Sequence, residues 1–207
     1  NNPAGTLHPT PGLVRAANTL PSVRFIIDES FLPFTAEASV ADHTDELGSN
    51  VSVISSLSKT LGVPGLRVGY AWSKDLEWIR RYRQELPIWA GNSVAEQFIS
   101  LLPKFKVEYR RSLVQTSADK VEFAKLLAAI PRVKVLPGAD GNFINAMLSD
   151  HDADSSSAIC EQFLDAGYLV KCVNEKLSLG HPVLRVAVRT ADENQEFAAV
   201  LAEIAER

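Results

Sequence analysis

Sulfur and basic charge are both scarce in this chain. Among 207 residues there are two cysteines, Cys160 and Cys172, and one methionine, Met147. Two cysteines without CxxC spacing give neither a disulfide framework nor a thiolate metal site, and they suit a reducing, cytoplasmic setting. The four histidines, His8, His43, His151 and His181, are isolated, so no metal site is expected. Lys and Arg number 21 against 25 Asp and Glu, a net charge of −4. That balance excludes the basic footprint of a nucleic-acid binder or a polybasic membrane binder. No apolar run approaches the ~18 residues of a membrane helix. An initiator methionine is also lacking, and the chain is expected to be a piece of a longer protein.

What is present is a globular composition, 46% hydrophobic and 22% charged. Asn2-Pro3-Ala4-Gly5 signals a turn, and a short helix is expected over 11–20. Val23 to Ile27 is a compact apolar run ending at Asp28, the pattern of a buried parallel strand. Residues 35–50 read as a surface loop. Val51 to Ile54 is a second strand, running into Ser55-Ser56-Leu57-Ser58-Lys59, and Leu66 to Trp72 a third. Strand, crossover and strand indicate an α/β sheet. Residues 74–130 read as helical, interrupted at Pro87 and Pro103. Val114, Ala118, Val121, Ala124 and Ala128 are expected to form one buried helix face. From Pro131 on, strands at 133–136, 143–148, 168–173 and 183–188 alternate with helices. Gly167 closes one of these helices, and a Thr190/Glu193 capping box opens another. Phe197, Val200, Leu201 and Ile204 form the last helix's apolar stripe. The expected organisation is residues 1–90 as part of a large α/β domain, 91–130 as a connecting helix, and 131–207 as a small α+β domain.

Four residues share a geometry. Asp28 and Lys59 end strands, Arg67 follows a Gly/Pro loop, and Arg185 sits within an apolar strand. Ligands of open α/β sheets bind beyond the carboxyl ends of the strands. Singly, a strand-end Asp is more often a cap and a lone Lys a solvated surface group; an Arg in an apolar strand needs a partner.

Taken together, Asn2-Pro3-Ala4-Gly5, Asp28-Glu29-Ser30-Phe31, Ser56-Leu57-Ser58-Lys59, Gly65-Leu66-Arg67-Val68-Gly69-Tyr70 and Leu184-Arg185-Val186 resemble, in order and spacing, the class I/II pyridoxal-phosphate aminotransferases. The chain is similar to the C-terminal portion of such an enzyme, nearest the histidinol-phosphate aminotransferase and threonine-phosphate decarboxylase branch. Leu86-Pro87-Ile88-Trp89 also resembles the aminotransferase-like half of nucleotidyltransferase–aminotransferase fusions. The resemblance implies a partial pyridoxal-phosphate transferase large domain plus a small C-terminal domain, pyridoxal 5′-phosphate as cofactor, and a homodimer. The implied substrates are a small-molecule amino donor and a 2-oxo acid acceptor. It further implies that Lys59 holds the cofactor as a Schiff base and moves the proton, while Asp28 pairs with the pyridine nitrogen. Arg67, Ser56 and Ser58 bind the phosphate and Asn2 the ring hydroxyl. Arg185, with Asn142, grips the substrate carboxylate, and Arg189 is a candidate for a second acidic group.

One residue departs from the pattern: Phe31 stands where the family places a tyrosine that donates to the ring hydroxyl. The resemblance leaves open a decarboxylase of a phosphorylated amino acid, or an effector domain of a transcription regulator. If the chain lacks part of its sheet, Phe25, Ile27, Val51 and Val53 are expected to be partly uncovered.

Overall fold

The structure, a computed structural model, describes residues 1–138 and 140–206. The expected end of the small domain at Arg207 lies outside the described residues. The chain divides into two compact units. One spans His8–Ser112; the other joins Asn1–Leu7 to the chain from Leu113 on. The units differ from the expected segments in two places: residues 1–7 pack with the C-terminal unit, and 91–112 with the unit that carries Asp28 and Lys59.

In the His8–Ser112 unit, helix α1 (Thr10–Thr19) precedes strand β1 (Phe25–Asp28), and β2 (Val51–Ser56) runs parallel to β1 with Phe25 opposite Val51 and Asp28 opposite Ile54. After the four-residue helix α2 (Leu57–Thr60), strand β3 (Gly69–Ser73) returns antiparallel to β2, giving the order β1-β2-β3. The third strand begins three residues later than the sequence suggests, because Arg67 adopts a left-handed backbone with φ 52°. Gly69 is required by close approach: a Cβ there would lie 2.5 Å from the Ser55 carbonyl oxygen. Helices α3 (Leu76–Glu85) and α4 (Ser93–Leu101) are capped by Asp75, which accepts from Trp78 N–H at 3.0 Å, and Asn92, which accepts from Ala95 N–H at 2.8 Å. Hydrogen bonding to Arg24 holds the Asp75 carboxyl below its usual range.

The core of this unit corrects two expectations. Val51 and Val53 are fully buried, covered by Val14 and Ala17 of α1 and by Val40 and Leu47; Phe25 and Ile27 are partly uncovered, as expected, and Ile26, on the other face, stands 60% exposed. Residues 35–50 are therefore more than a surface loop. The buried Glu29 carboxylate accepts from Val40 N–H at 2.7 Å and Ser39 Oγ at 2.6 Å, and Lys74 Nζ donates to the carbonyls of Thr44 and Leu47 at 2.8 and 2.9 Å. These polar anchors draw Val40 and Leu47 onto the sheet, a link between residues too far apart in sequence to be read as a pattern.

Helix α5 (Lys106–Ala128) crosses the division between the units. In the second unit follow β4 (Val133–Val135), β5 (Phe143–Leu148), α6 (Ser156–Asp165), β6 (Lys171–Cys172), α7 (Asn174–Leu177), β7 (Val183–Ala187) and α8 (Ala191–Ala205). The strands form an antiparallel sheet of order β4-β5-β7-β6. The strand expected over 168–173 shrinks to two residues, since as an edge element it pairs with β7 alone. Phe197, Leu201 and Ile204 of α8 bury as expected, with Phe163 stacked on Phe197 at 5.3 Å, and the Thr190/Glu193 capping box is formed. The expected α5 face is overturned. Val114 and Val121 are 72% and 53% exposed, while Phe123 and Leu127 are buried. Phe123 lies about two and a half turns from Val114, on the opposite side of the helix, and its larger ring gains more by burial. Among the described residues no helix is long and apolar enough to cross a membrane.

Candidate active site

Two sets of side chains carry the expected chemistry, one in each unit. In the first, parallel pairing brings the carboxyl ends of β1 and β2 side by side. Asp28 Oδ1 accepts from both Ser30 N–H (2.9 Å) and Ser30 Oγ (2.5 Å), and Ser30 Oγ in turn accepts from Ser56 N–H at 2.9 Å. One serine thus joins the aspartate to the turn that presents the lysine. Ser30 escaped the sequence reading, although an aspartate followed two residues later by serine is an Asx-turn signal.

Lys59 lies in α2, exposed, its Nζ 5.2 Å from the centre of the Phe31 ring. Ser58 is buried and donates from Oγ to the Val68 carbonyl at 3.4 Å, so it holds the turn against the chain entering β3. Ser56 is half-buried and precedes α2. Arg67 is exposed, with Nη1 donating to the Pro64 carbonyl at 3.1 Å; its loop is held by Asn92 Nδ2, which donates to Leu66 O at 3.0 Å. Asp28, Lys59 and Arg67 take part in no ion pair among the described residues. One acid, one amine and one guanidinium left unneutralised in this way fit a ligand that offers a protonated ring nitrogen, an aldehyde and a phosphate.

The second set centres on Arg185 in β7. Its Nη1 donates to Asn2 Oδ1 at 2.6 Å, and the guanidinium lies 4.9 Å from the centre of the Phe143 ring. Burial lowers its pKa from the ordinary value, its Nε has no hydrogen-bond partner, and no carboxylate pairs with it among the described residues. With its oxygen taken by Arg185, Asn2 keeps its amide Nδ2 to donate elsewhere. Asn142 precedes β5, half-buried, its carbonyl accepting from Val188 N–H at 2.9 Å. Arg189 forks instead onto Glu193, Nη2 and Nε reaching Oε1 at 2.5 and 3.1 Å, and so completes a helix cap. That partner, with Thr190, takes the Glu193 carboxyl down to about 2.

Asn145 is a further member that sequence reasoning missed. It sits opposite Arg185 in the β5–β7 register, is buried, and donates from Nδ2 to the Pro3 carbonyl at 2.9 Å, while its Oδ1 has no partner. It anchors the N-terminal turn that presents Asn2. Asn145→Ala is expected to cost about 1–2 kcal/mol by stranding a carbonyl acceptor. A denaturant titration of the full-length protein measures this, and an unchanged midpoint would show that the turn is held by other contacts.

Comparison with known proteins gives a consistent picture. The family described as aminotransferase class I and II matches residues 1–201. CMP-5′-(3-aminopropyl)phosphonate synthase of Streptomyces rubellomurinus is 36% identical over 208 residues, covering 99% of this chain and 33% of that protein. An L-serine phosphate decarboxylase of Campylobacter jejuni is 29% identical, covering 82% of this chain and 44% of that protein. The chain thus spans less than half the length of these curated relatives. In fold, the histidinol-phosphate aminotransferase structure from Clostridium acetobutylicum superposes with a TM-score of 0.88 at 20% identity, over the whole of this chain and 62% of that one.

Proposed function

The chain belongs to the class I and II aminotransferases, and from that premise we propose that it carries the cofactor lysine and the carboxylate-binding arginine of a pyridoxal-phosphate transaminase. Its substrate would be an amino acid or a phosphorylated amine. The observation that carries this reading is the trio Asp28, Lys59 and Arg67 at adjacent strand ends, the first two joined through Ser30 and Ser56, with no ion pair to any of the three among the described residues.

When bound, the cofactor supplies an electron sink for the electron pair left on the substrate Cα. The chain supplies the rest. Lys59 Nζ would be the amine that holds the cofactor through its aldehyde, and it would serve as the base for the substrate Cα proton. Asp28 keeps the pyridine nitrogen protonated, its carboxylate oriented by Ser30. Arg67 binds phosphate as a fork, with Ser56 and Ser58 as hydroxyl donors, and Asn2 Nδ2 donates to the ring hydroxyl. Phe31 covers Lys59 with a ring face and offers no hydroxyl. Arg185 fixes the substrate carboxylate beside Asn142. Arg189 is left out, since Glu193 occupies it.

A second reading, decarboxylation of a phosphorylated amino acid, is favoured by the decarboxylase among the relatives. It uses the same residues, with Arg185 taking the phosphate and the carboxylate departing as carbon dioxide. Product analysis separates the two: for the first, a 2-oxo acid from an amino acid or an aldehyde from a phosphorylated amine, with no gas released; for the second, carbon dioxide and an amine. The exposed Ile88 and Trp89, 93% and 89%, support a homodimer as the working state. The pair of thiols supports a cytoplasmic location.

Borohydride reduction of the full-length protein with pyridoxal phosphate is the direct test. The adduct is expected on Lys59 by peptide mapping. An adduct on Lys120 or Lys171 instead would overturn the assignment.

A further inference from the structure

The two cysteines, unremarkable in sequence, are neighbours in space. Cys160 lies in α6, Cys172 ends the edge strand β6, and their Sγ atoms stand 3.0 Å apart. Cys172 Sγ also reaches the Ser156 carbonyl at 3.5 Å, and either sulfur can donate the thiol proton that lies between the pair. Both residues are half-buried, open to a small oxidant. A disulfide needs the sulfurs at about 2.05 Å, and β6, bonded to β7 alone, has the freedom of an edge to let them close.

We propose that Cys160 and Cys172 are a modification site that forms a reversible intrachain disulfide on meeting a peroxide. The Cys160 sulfur, as thiolate, attacks one peroxide oxygen. The O–O bond breaks, and the departing hydroxide takes the proton that Cys160 released, leaving a sulfenic acid. The Cys172 sulfur then attacks the Cys160 sulfur. The S–S bond forms, the S–O bond breaks, and the hydroxyl leaves as water with the Cys172 proton. Two thiols have lost two electrons, and the peroxide has gained them as two waters. Burial, with the Cys160 thiol beside it, pushes the Cys172 thiol up to about 12, which suits Cys172 to the second step. The new bond would tie α6 to the strand whose Lys171 sits opposite Arg185.

The first arm of the test needs no variant. The reduced full-length protein is treated with hydrogen peroxide, alkylated and digested without reductant. The expected result is a cross-linked peptide pair holding Cys160 and Cys172, with loss of alkylation at both and full recovery after dithiothreitol. A second arm uses Cys172→Ser with a sulfenic-acid trap, where adduct at Cys160 should rise at least roughly tenfold over wild type because the partner that removes the sulfenic acid is gone. Both cysteines still alkylated, or each found separately as a sulfinic acid, would overturn the proposal. Neither result depends on the activity assigned above.

Discussion

Replacing Lys59 by alanine in the full-length protein is expected to abolish turnover: a loss of at least roughly 10²–10⁴-fold, the range carried by a proton-transfer group alone, before the lost covalent attachment is counted. The side chain is exposed, and among the described residues its ring contact is with Phe31. Removing it should therefore leave the thermal unfolding midpoint close to wild type. That combination, intact fold with no turnover, separates a chemical lysine from a structural one. Exogenous small primary amines should recover part of the proton transfer. Measurable turnover within tenfold of wild type would end the assignment.

The second large effect concerns Arg185. Arg185→Lys keeps a charge but loses the planar fork and the reach to Asn2 Oδ1. kcat/KM for substrates bearing a carboxylate should fall by about 2–4 kcal/mol, the scale of one buried charged pair left unmatched. That is roughly 30- to 1000-fold. Simple amines, which never engaged the fork, should lose little. Equal losses for amino acids and amines would show that Arg185 serves only to brace Asn2 and Phe143.

How far the sequence could reveal this depends on separation along the chain. β1 and β2 were readable because short apolar runs, Phe25 to Ile27 and Val51 to Ile54, hold β-branched residues and end in Asp or Ser, a purely local signal. Lys59, Arg67 and Arg185 could be singled out as candidates through short motifs whose members are neighbours in sequence. The links from Ser56 to Ser30 and from Asn145 to Pro3 left no such local signal, because the partners stand 26 and 142 residues apart. The α5 face was misjudged because a count of apolar residues weights Val and Ala equally with Phe123 and Leu127, whereas burial follows area. Val40 and Leu47 lay in a polar-looking segment, and it is the buried Glu29 carboxylate and the Lys74 amine, distant in sequence, that explain their descent into the core.

The contact between Gly69 and Ser55 also bears on mutational drift. Every single-base change that alters a glycine codon installs a Cβ or a stop, and a Cβ here would meet a backbone carbonyl, which has no rotamer to yield. Strand β3 would have to lift from β2 over the residues Ser55 and Ser56 that lead into the lysine turn. Position 69 is therefore silent in any inspection of side-chain chemistry yet closed to neutral substitution. A saturation library should show it depleted as sharply as the lysine it never touches.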